Sequence, residues 1–448
     1  MILKAKQILR QPFVSTLTSY IADGVLVGIM TGGIVGIFRW IIDHTMQFLF
    51  FIYPILGKHP LYLIPYVLIM AVICIVLGLI IKPYLNDLVG SGVPQIEAVF
   101  LNENKISWWA VLWRKFVGGL LAICPGLMLG REGPCIEMGA LVGQGLGDKL
   151  FNSDNEHIRL LQQSGVAAGL AAAFSAPLAG VFFLVEEITF NFKPRECLMA
   201  LAASFSADLM TLFFFGTTPC LYLPVKGDLP LNIYWALPIF GVLLGLLAYL
   251  YQYCLLSLKP WFSHIKLIPR QYHSIIPFIL IIPIGLWNAK LLGGSHDLIS
   301  SLFTNAYKAN LNKQSIAMVV LIPLLYFVVR FIFSMLSYGS SIPGGIFMPI
   351  LVLGAFLGVA FAMALIRSGF ITEAYYPHII VIGMAAYFGA IEKAPFTAVT
   401  LLSEMVGTVE QILPMIITTF IAYYVLDWLG GRPIYEALRI QMQYKKPK

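Results

Sequence analysis

Apolar residues run through this chain in long blocks that charged residues seldom interrupt. Such blocks occupy Val25 to Ile42, Tyr62 to Ile81, Trp235 to Tyr251, Ile275 to Leu286, Ile316 to Phe333 and Ile412 to Leu426. Several approach the ~20 residues a helix needs to cross ~30 Å of hydrocarbon. The pattern predicts membrane helices rather than helices packed round a water-soluble core. Gly and Pro break the apolar runs at Gly90 to Pro94, Gly130 to Pro134, Ala176-Pro177, Pro343 to Pro349 and Ala394-Pro395. Irregular backbone at membrane depth is tolerated only when buried in protein or lining a water-filled cavity. The breaks therefore mark a candidate pathway, although loops outside the bilayer would account for some of them equally well.

A second regularity is a repeat. Pro134 begins PCIEMGALVG and Pro349 begins PILVLGAFLG, with glycines at matching places (Gly139 and Gly354, Gly143 and Gly358). Gly165 begins GVAAGLAAAFSAP and Gly383 begins GMAAYFGAIEKAP, and each ends in Ala-Pro. Nine residues after each of those prolines stands a glutamate, Glu186 and Glu404. Two equivalent halves of a membrane chain suggest a transporter scaffold, with the substrate held near the midplane where the halves meet. The division expected is an interfacial N-terminal helix over 1–20, a first membrane repeat over 21–217 and a second over 218–448.

Composition narrows the class. Of 448 residues, 59% are hydrophobic and 11% charged, against roughly 25% charged in a soluble domain. That excludes an ordinary soluble enzyme, and no polar stretch is long enough for a separate soluble domain. The formal net charge of +7 is spread over loops and termini, which reads as topology rather than nucleic-acid binding. Lys4, Lys6 and Arg10 crowd one end; Arg432, Arg439, Lys445, Lys446 and Lys448 crowd the other. Positive charge favours the cytoplasmic side, so both termini are expected inside. No small-residue cleavage site follows Lys4 and Lys6, which argues against a cleaved signal peptide. The six cysteines form no C-x-x-C pair, the seven histidines are scattered, and H-E-x-x-H does not occur. Neither a metal site nor a cofactor is expected.

The breaks have the chemistry of an anion site. A helix that starts inside the membrane presents unpaired N–H groups and the positive end of its dipole. It can hold an anion without a full positive charge, and conduction needs binding that is favourable but weak. In Gly90-Ser91-Gly92-Val93-Pro94 the glycines admit close approach, Ser91 adds a hydroxyl, and Pro94 suits a first helical turn. Gly344 to Pro349 offers the same from the other half, with Ile346 and Phe347 giving backbone N–H groups. In Gly130-Arg131-Glu132-Gly133-Pro134 a carboxylate stands at a helix start in apolar sequence. An intramembrane ionisable residue is a functional candidate by default. Glu132 either caps its helix or pairs with Arg131, or its carboxylate occupies the anion site and leaves on protonation, acting as gate and proton carrier.

Three blocks, GSGVP at 90–94, GREGP at 130–134 and GGIFMP at 344–349, resemble the signature blocks of the CLC family of chloride channels and chloride/proton exchangers, in family order. GGRPIY at 430–435, SAPLAGVFFLVEE at 175–187 and EQILPMIIT at 410–418 are similar to further family segments. The resemblance spans roughly residues 20 to 440. It implies an all-α integral membrane protein with the CLC fold: two inverted, intertwined repeats of many tilted, partly re-entrant helices. It implies a homodimer in membrane lipid, each subunit with its own pathway, and chloride and protons as the transported species. Ser91 and Tyr435 would supply hydroxyls to a central chloride, with the Ile346 and Phe347 amides and Gly133 beside it. Without the family match Tyr435 would read as an interfacial anchor. Glu132 corresponds to the gating glutamate. Glu187 matches the glutamate that relays protons near the cytoplasmic side of exchangers; Glu186 would share or support that role. Read without the family, Glu187 is equally a surface carboxylate at a helix end.

Some residues depart from the family pattern. Ser341 and Ala398 stand where many relatives have glycine. Ser341 carries a penalty if its backbone needs φ > 0. Glu392 and Lys393 are adjacent and are expected to neutralise one another, and Glu137 has no assigned role. The chain ends at Lys448 without the regulatory domains common in eukaryotic relatives. That suggests the plasma membrane of a prokaryote, the inner membrane in a Gram-negative cell. The resulting expectation is a chloride/proton exchanger. A passive CLC channel shares every feature except the use of Glu187. An intramembrane enzyme would need a catalytic set, and neither H-E-x-x-H nor G-x-S-x-G is present. An unrelated inverted-repeat transporter for an organic anion is the remaining alternative.

Overall fold

The computed structural model describes residues 12–304 and 315–444, apart from 152, 218, 219, 222, 224 and 226. Lys4, Lys6, Arg10, Lys445, Lys446 and Lys448 lie outside the described residues. The first half carries α1 (Pro12–Lys58), α2 (Leu63–Ile81), α3 (Val93–Phe100), α4 (Trp108–Ile123), α5 (Glu132–Leu146), α6 (Asn155–Phe174), α7 (Pro177–Phe183) and α8 (Pro194–Phe215). The second carries α9 (Ala236–Ser263), α10 (Ile275–Trp287), α11 (His296–Leu302), α12 (Ile316–Gly339), α13 (Phe347–Arg367), α14 (Tyr376–Glu392), α15 (Pro395–Val406), α16 (Ile412–Trp428) and α17 (Ile434–Met442). No strand occurs among the described residues; only two isolated bridges do.

The apolar blocks fall, to within a residue, inside α1, α2, α9, α10, α12 and α16. Seven helices among the described residues are long and apolar enough to cross a bilayer, and the chain is a multi-pass membrane protein. The apolar windows of α13 and α14 are 83% and 89% buried, against 33% for those of α2, α8 and α12. The former pair is therefore the protein's centre and the latter three face outward. Other helices cannot span. At 1.5 Å per residue the 8-residue α3 reaches only about 12 Å, so it starts and stops within the protein.

The repeat reappears as packing. In the first half α5 packs on α6, α6 on α8 and α8 on α1; in the second α13 packs on α14, α14 on α16 and α16 on α9. The repeated glycines sit at the equivalent crossings. A Cβ on Gly165 would stand 2.0 Å from the Gly139 carbonyl oxygen, and one on Gly383 2.9 Å from that of Gly354. Small residues let backbones touch where lipid supplies no hydrophobic drive.

The repeated glutamates show how the halves are related. Glu186, just after α7, accepts from the amides of Phe396 (3.2 Å) and Thr397 (2.6 Å) at the start of α15. Glu404, near the end of α15, accepts from the amides of Leu178 (3.0 Å) and Ala179 (2.9 Å) at the start of α7. Each carboxylate caps the other helix, so equivalent helices run in opposite directions. The repeats are inverted.

Candidate functional site

Three broken segments converge, and their backbones lace together. Gly90 N donates to Ile342 O (2.9 Å) and Gly344 N to Gly90 O (3.0 Å). Gly130 N donates to Gly345 O (2.8 Å) and Gly345 N to Gly130 O (2.7 Å). These bonds satisfy polar backbone that has no water to turn to. Gly90 (φ 75°) and Gly92 (φ 94°) sit in the left-handed region that glycine tolerates. The starts of α3, α5 and α13 are thereby aimed at one region, and the first amides of a helix have no acceptor within it.

The proposed anion ligands are brought to that region. Gly133 lies against Ser91, where a Cβ would meet the Ser91 Cβ at 2.6 Å. Ser91 Oγ accepts from the Val93 amide at 3.3 Å, and the Tyr338 hydroxyl adjoins the same loop, 2.9 Å from where a Cβ on Gly90 would stand. Ile346 and Phe347 are buried at the start of α13. The Phe183 ring touches those of Phe347 (6.2 Å) and Tyr435 (6.5 Å). Tyr435 is wholly buried and its hydroxyl has no hydrogen-bond partner, so it is no interfacial anchor.

Glu132 is the first residue of α5 and is fully buried, and neither carboxylate oxygen has a hydrogen-bond partner. Its Oε2 lies over the bare Cα of Gly130, beside the Met348 amide at the start of α13. It thus reaches from one half to the helix start of the other. Arg131 is spoken for: it forms an ion pair with Asp43 and approaches Glu132 only to 4.0 Å. The Arg131–Glu132 pair is thus present only as a long contact, which Arg131 shares with its closer pair to Asp43.

Glu187 lies in the single π-helical turn after α7 and is buried, with Oε1 unpartnered, so it is not a surface carboxylate. Its charged neighbours are Glu392, Glu97, Glu186 and Glu436. Glu186 does not join it as a free group, because its carboxylate is committed to the start of α15. Two expectations about charge are corrected. Glu392 and Lys393 do not neutralise one another: Lys393 (φ 57°) turns away to pair with Asp427, and Glu392 stays buried. Arg439 is not a loose terminal charge but pairs with Glu97 (3.3 Å) and Glu103 (2.6 Å).

Sequence reasoning missed Lys115. Its ammonium is fully buried, pairs with Glu137 at 2.7 Å, and donates to the carbonyls of Leu88 and Gly90, each at 3.0 Å. It fixes the loop that carries Ser91 while Glu137 cancels its charge. The signal was Glu137 itself, since a carboxylate in an apolar helix needs a cation. Ser341 does adopt φ 62°, and Arg270 Nε donates to its hydroxyl at 3.1 Å. Ala398 is accommodated because its methyl faces Gly389. The six cysteines are unpaired.

Helix starts from two inverted halves, hydroxyls and a carboxylate without a hydrogen-bond partner are thus gathered in one buried region of a membrane protein. The sequence profile described as voltage gated chloride channel matches residues 70–427. The chain belongs to that family, the CLC channels and transporters. It is 34% identical over 382 residues to the H(+)/Cl(-) exchange transporter ClcA of Vibrio parahaemolyticus, covering 83% of this chain and 78% of that one. It is 30% identical over 438 residues to ClcA of Yersinia pestis, covering 92% and 85%. Among solved structures it matches a slow cyanobacterial Cl-/H+ antiporter with TM-score 0.85 and 30% identity, covering 94% and 97%. A CLC-type fluoride/proton antiporter shares the fold at TM-score 0.72 and 21% identity.

Proposed function

We propose that this protein exchanges chloride for protons, with Glu132 as the movable gate and Glu187 as the inner proton relay. The observation that carries this reading is the Glu132 carboxylate. It is buried without a partner beside the start of α13, where an anion would be held by amide dipoles and the hydroxyls of Ser91 and Tyr435. A carboxylate and a chloride compete for such donors, because both are anions. Protonation removes the charge and with it the reason to stay. Ile346, Phe347 and Gly133 complete the chloride site. Glu187 supports exchange over passive conduction, since a buried carboxyl can take up and release protons apart from the chloride route. The names of the bacterial relatives point the same way.

The protein works as a homodimer in a prokaryotic plasma membrane on this reading. Its support is the apolar face of α7, α15 and α16, which exposes Leu178, Phe182, Phe396 and Phe420. Measurement of the reversal potential of reconstituted protein under a proton gradient tests the proposal. Exchange shifts the potential with the proton gradient at fixed chloride; a potential that follows chloride alone means a passive channel.

A further inference from the structure

Glu392 closes α14 in the protein's centre, and nothing in the fold needs its charge. Both carboxyl oxygens are buried without a hydrogen-bond partner. The adjacent cation is turned away, since Lys393 is engaged with Asp427. Glu187 lies in the same region: its chain neighbour Glu186 accepts from the amides of Phe396 and Thr397, a few residues beyond Glu392. The Tyr435 hydroxyl, likewise buried without a hydrogen-bond partner, adjoins the Glu392 carboxyl. From the other packed elements it faces Glu97 of α3, Tyr251 of α9 and Tyr338 of α12, while Glu436 of α17 faces Glu187. Two cations stand nearby, Arg439 paired with Glu97 at 3.3 Å and Arg330 donating to the carbonyls of Leu291 and Gly293, and neither is bonded to Glu392.

The position is held firmly. Gln252 of α9 donates to the carbonyl of Ile391 (2.9 Å) and to that of Arg432 (2.7 Å). One amide thus ties the end of α14 to the loop that leads into Tyr435. At the equivalent place in the first half, 218 residues earlier by the Gly165–Gly383 spacing, stands Phe174, whose ring packs on Phe347 at 5.2 Å. An apolar residue suffices for packing there, so the carboxyl in the second half is an addition.

We propose that Glu392 is a proton-carrying carboxyl that receives protons from Glu187 and brings them to the Tyr435 side of the anion site. This rests on the exchange reading above. Two buried carboxylates without a bonded cation do not both hold charge comfortably, so one proton is readily shared between them. In the step, the O–H bond on Glu187 breaks and an O–H bond forms on Glu392. Glu187 is left as the carboxylate, and solvent reloads it. One proton moves inward, one negative charge moves the other way, and no further reactant is needed. Tyr435 marks the end of the route rather than a store along it, because a phenol gives up its proton only near pH ~10.

Parallel chloride and proton fluxes in proteoliposomes test this with wild-type protein, Glu392→Gln, Glu392→Asp and Glu392→Asn. Glu392→Gln is expected to lower proton flux relative to chloride flux by about a hundredfold or more, the scale on which a positioned proton-transfer group acts, while chloride still moves. The Asp and Asn variants share one length, so they separate proton carrying from packing: Asp should keep coupling and Asn should lose it. A wild-type ratio in Glu392→Gln, or equal ratios in Asp and Asn, overturns the assignment of Glu392 and leaves the exchange reading standing. A wild-type protein that moves chloride but no protons overturns the exchange reading itself, and this inference with it.

Discussion

The two halves can be compared position by position. They agree at Gly139 and Gly354, at Gly165 and Gly383, at Pro177 and Pro395, and at Glu186 and Glu404. They differ where Glu132 faces Phe347, where Glu187 faces Met405 and where Phe174 faces Glu392. The shared positions build the scaffold: glycines at helix crossings, prolines in first helical turns, and carboxylates that cap each other's helix. Each broken pair sets a buried carboxyl in one half against an apolar residue, Phe347, Met405 or Phe174, in the other. A glutamate tied to two amides cannot leave; one that is buried and uncommitted can move or change protonation. The departures from symmetry thus point to the chemistry, and the symmetric positions to the fold.

Attacks on the shared positions should affect folding in both halves alike. Gly165→Leu and Gly383→Leu are expected to give the largest effect, loss of monodisperse protein on size exclusion, because the new Cβ meets a backbone oxygen. Folded, active Gly165→Leu would mean that the crossing is looser than described. Next comes Lys115→Met, which strands Glu137 and should cost about 3–5 kcal/mol. Thermal unfolding in detergent measures it, and Lys115→Met with Glu137→Leu should recover most of the loss. Glu404→Gln and Glu186→Gln should each cost about 1–2 kcal/mol as weakened caps, with the proton-to-chloride ratio unchanged in both. A changed ratio in Glu186→Gln alone would move Glu186 from the scaffold into the relay. Ser341→Gly is the smallest: release of a left-handed backbone worth about 1–2 kcal/mol nearly cancels loss of the Arg270 hydrogen bond. No clear shift in melting temperature is expected.

The sequence revealed what is local or repeated. Membrane helices followed from apolar block length, and the intramembrane breaks from Gly and Pro within those blocks. Ser91, Glu132 and Phe347 were legible because each stands at such a break. The position of Tyr435 beside Phe183 was not, since it joins segments about 250 residues apart; only the family resemblance suggested it. The Lys115–Glu137 ion pair, and the gathering of Glu187 and Glu392 in one region, are made across helices and no periodicity encodes them. The adjacency of Glu392 and Lys393 misled, because a left-handed residue at a helix end sends consecutive side chains to different surroundings.

The central claim is that an uncommitted carboxylate competes with chloride for the helix starts. Glu132→Gln keeps the size of the side chain and removes its charge and its ability to carry a proton. With chloride and proton fluxes recorded together in proteoliposomes, the account predicts that this variant still moves chloride while proton movement ceases. Proton flux that keeps its wild-type ratio to chloride in Glu132→Gln would contradict it.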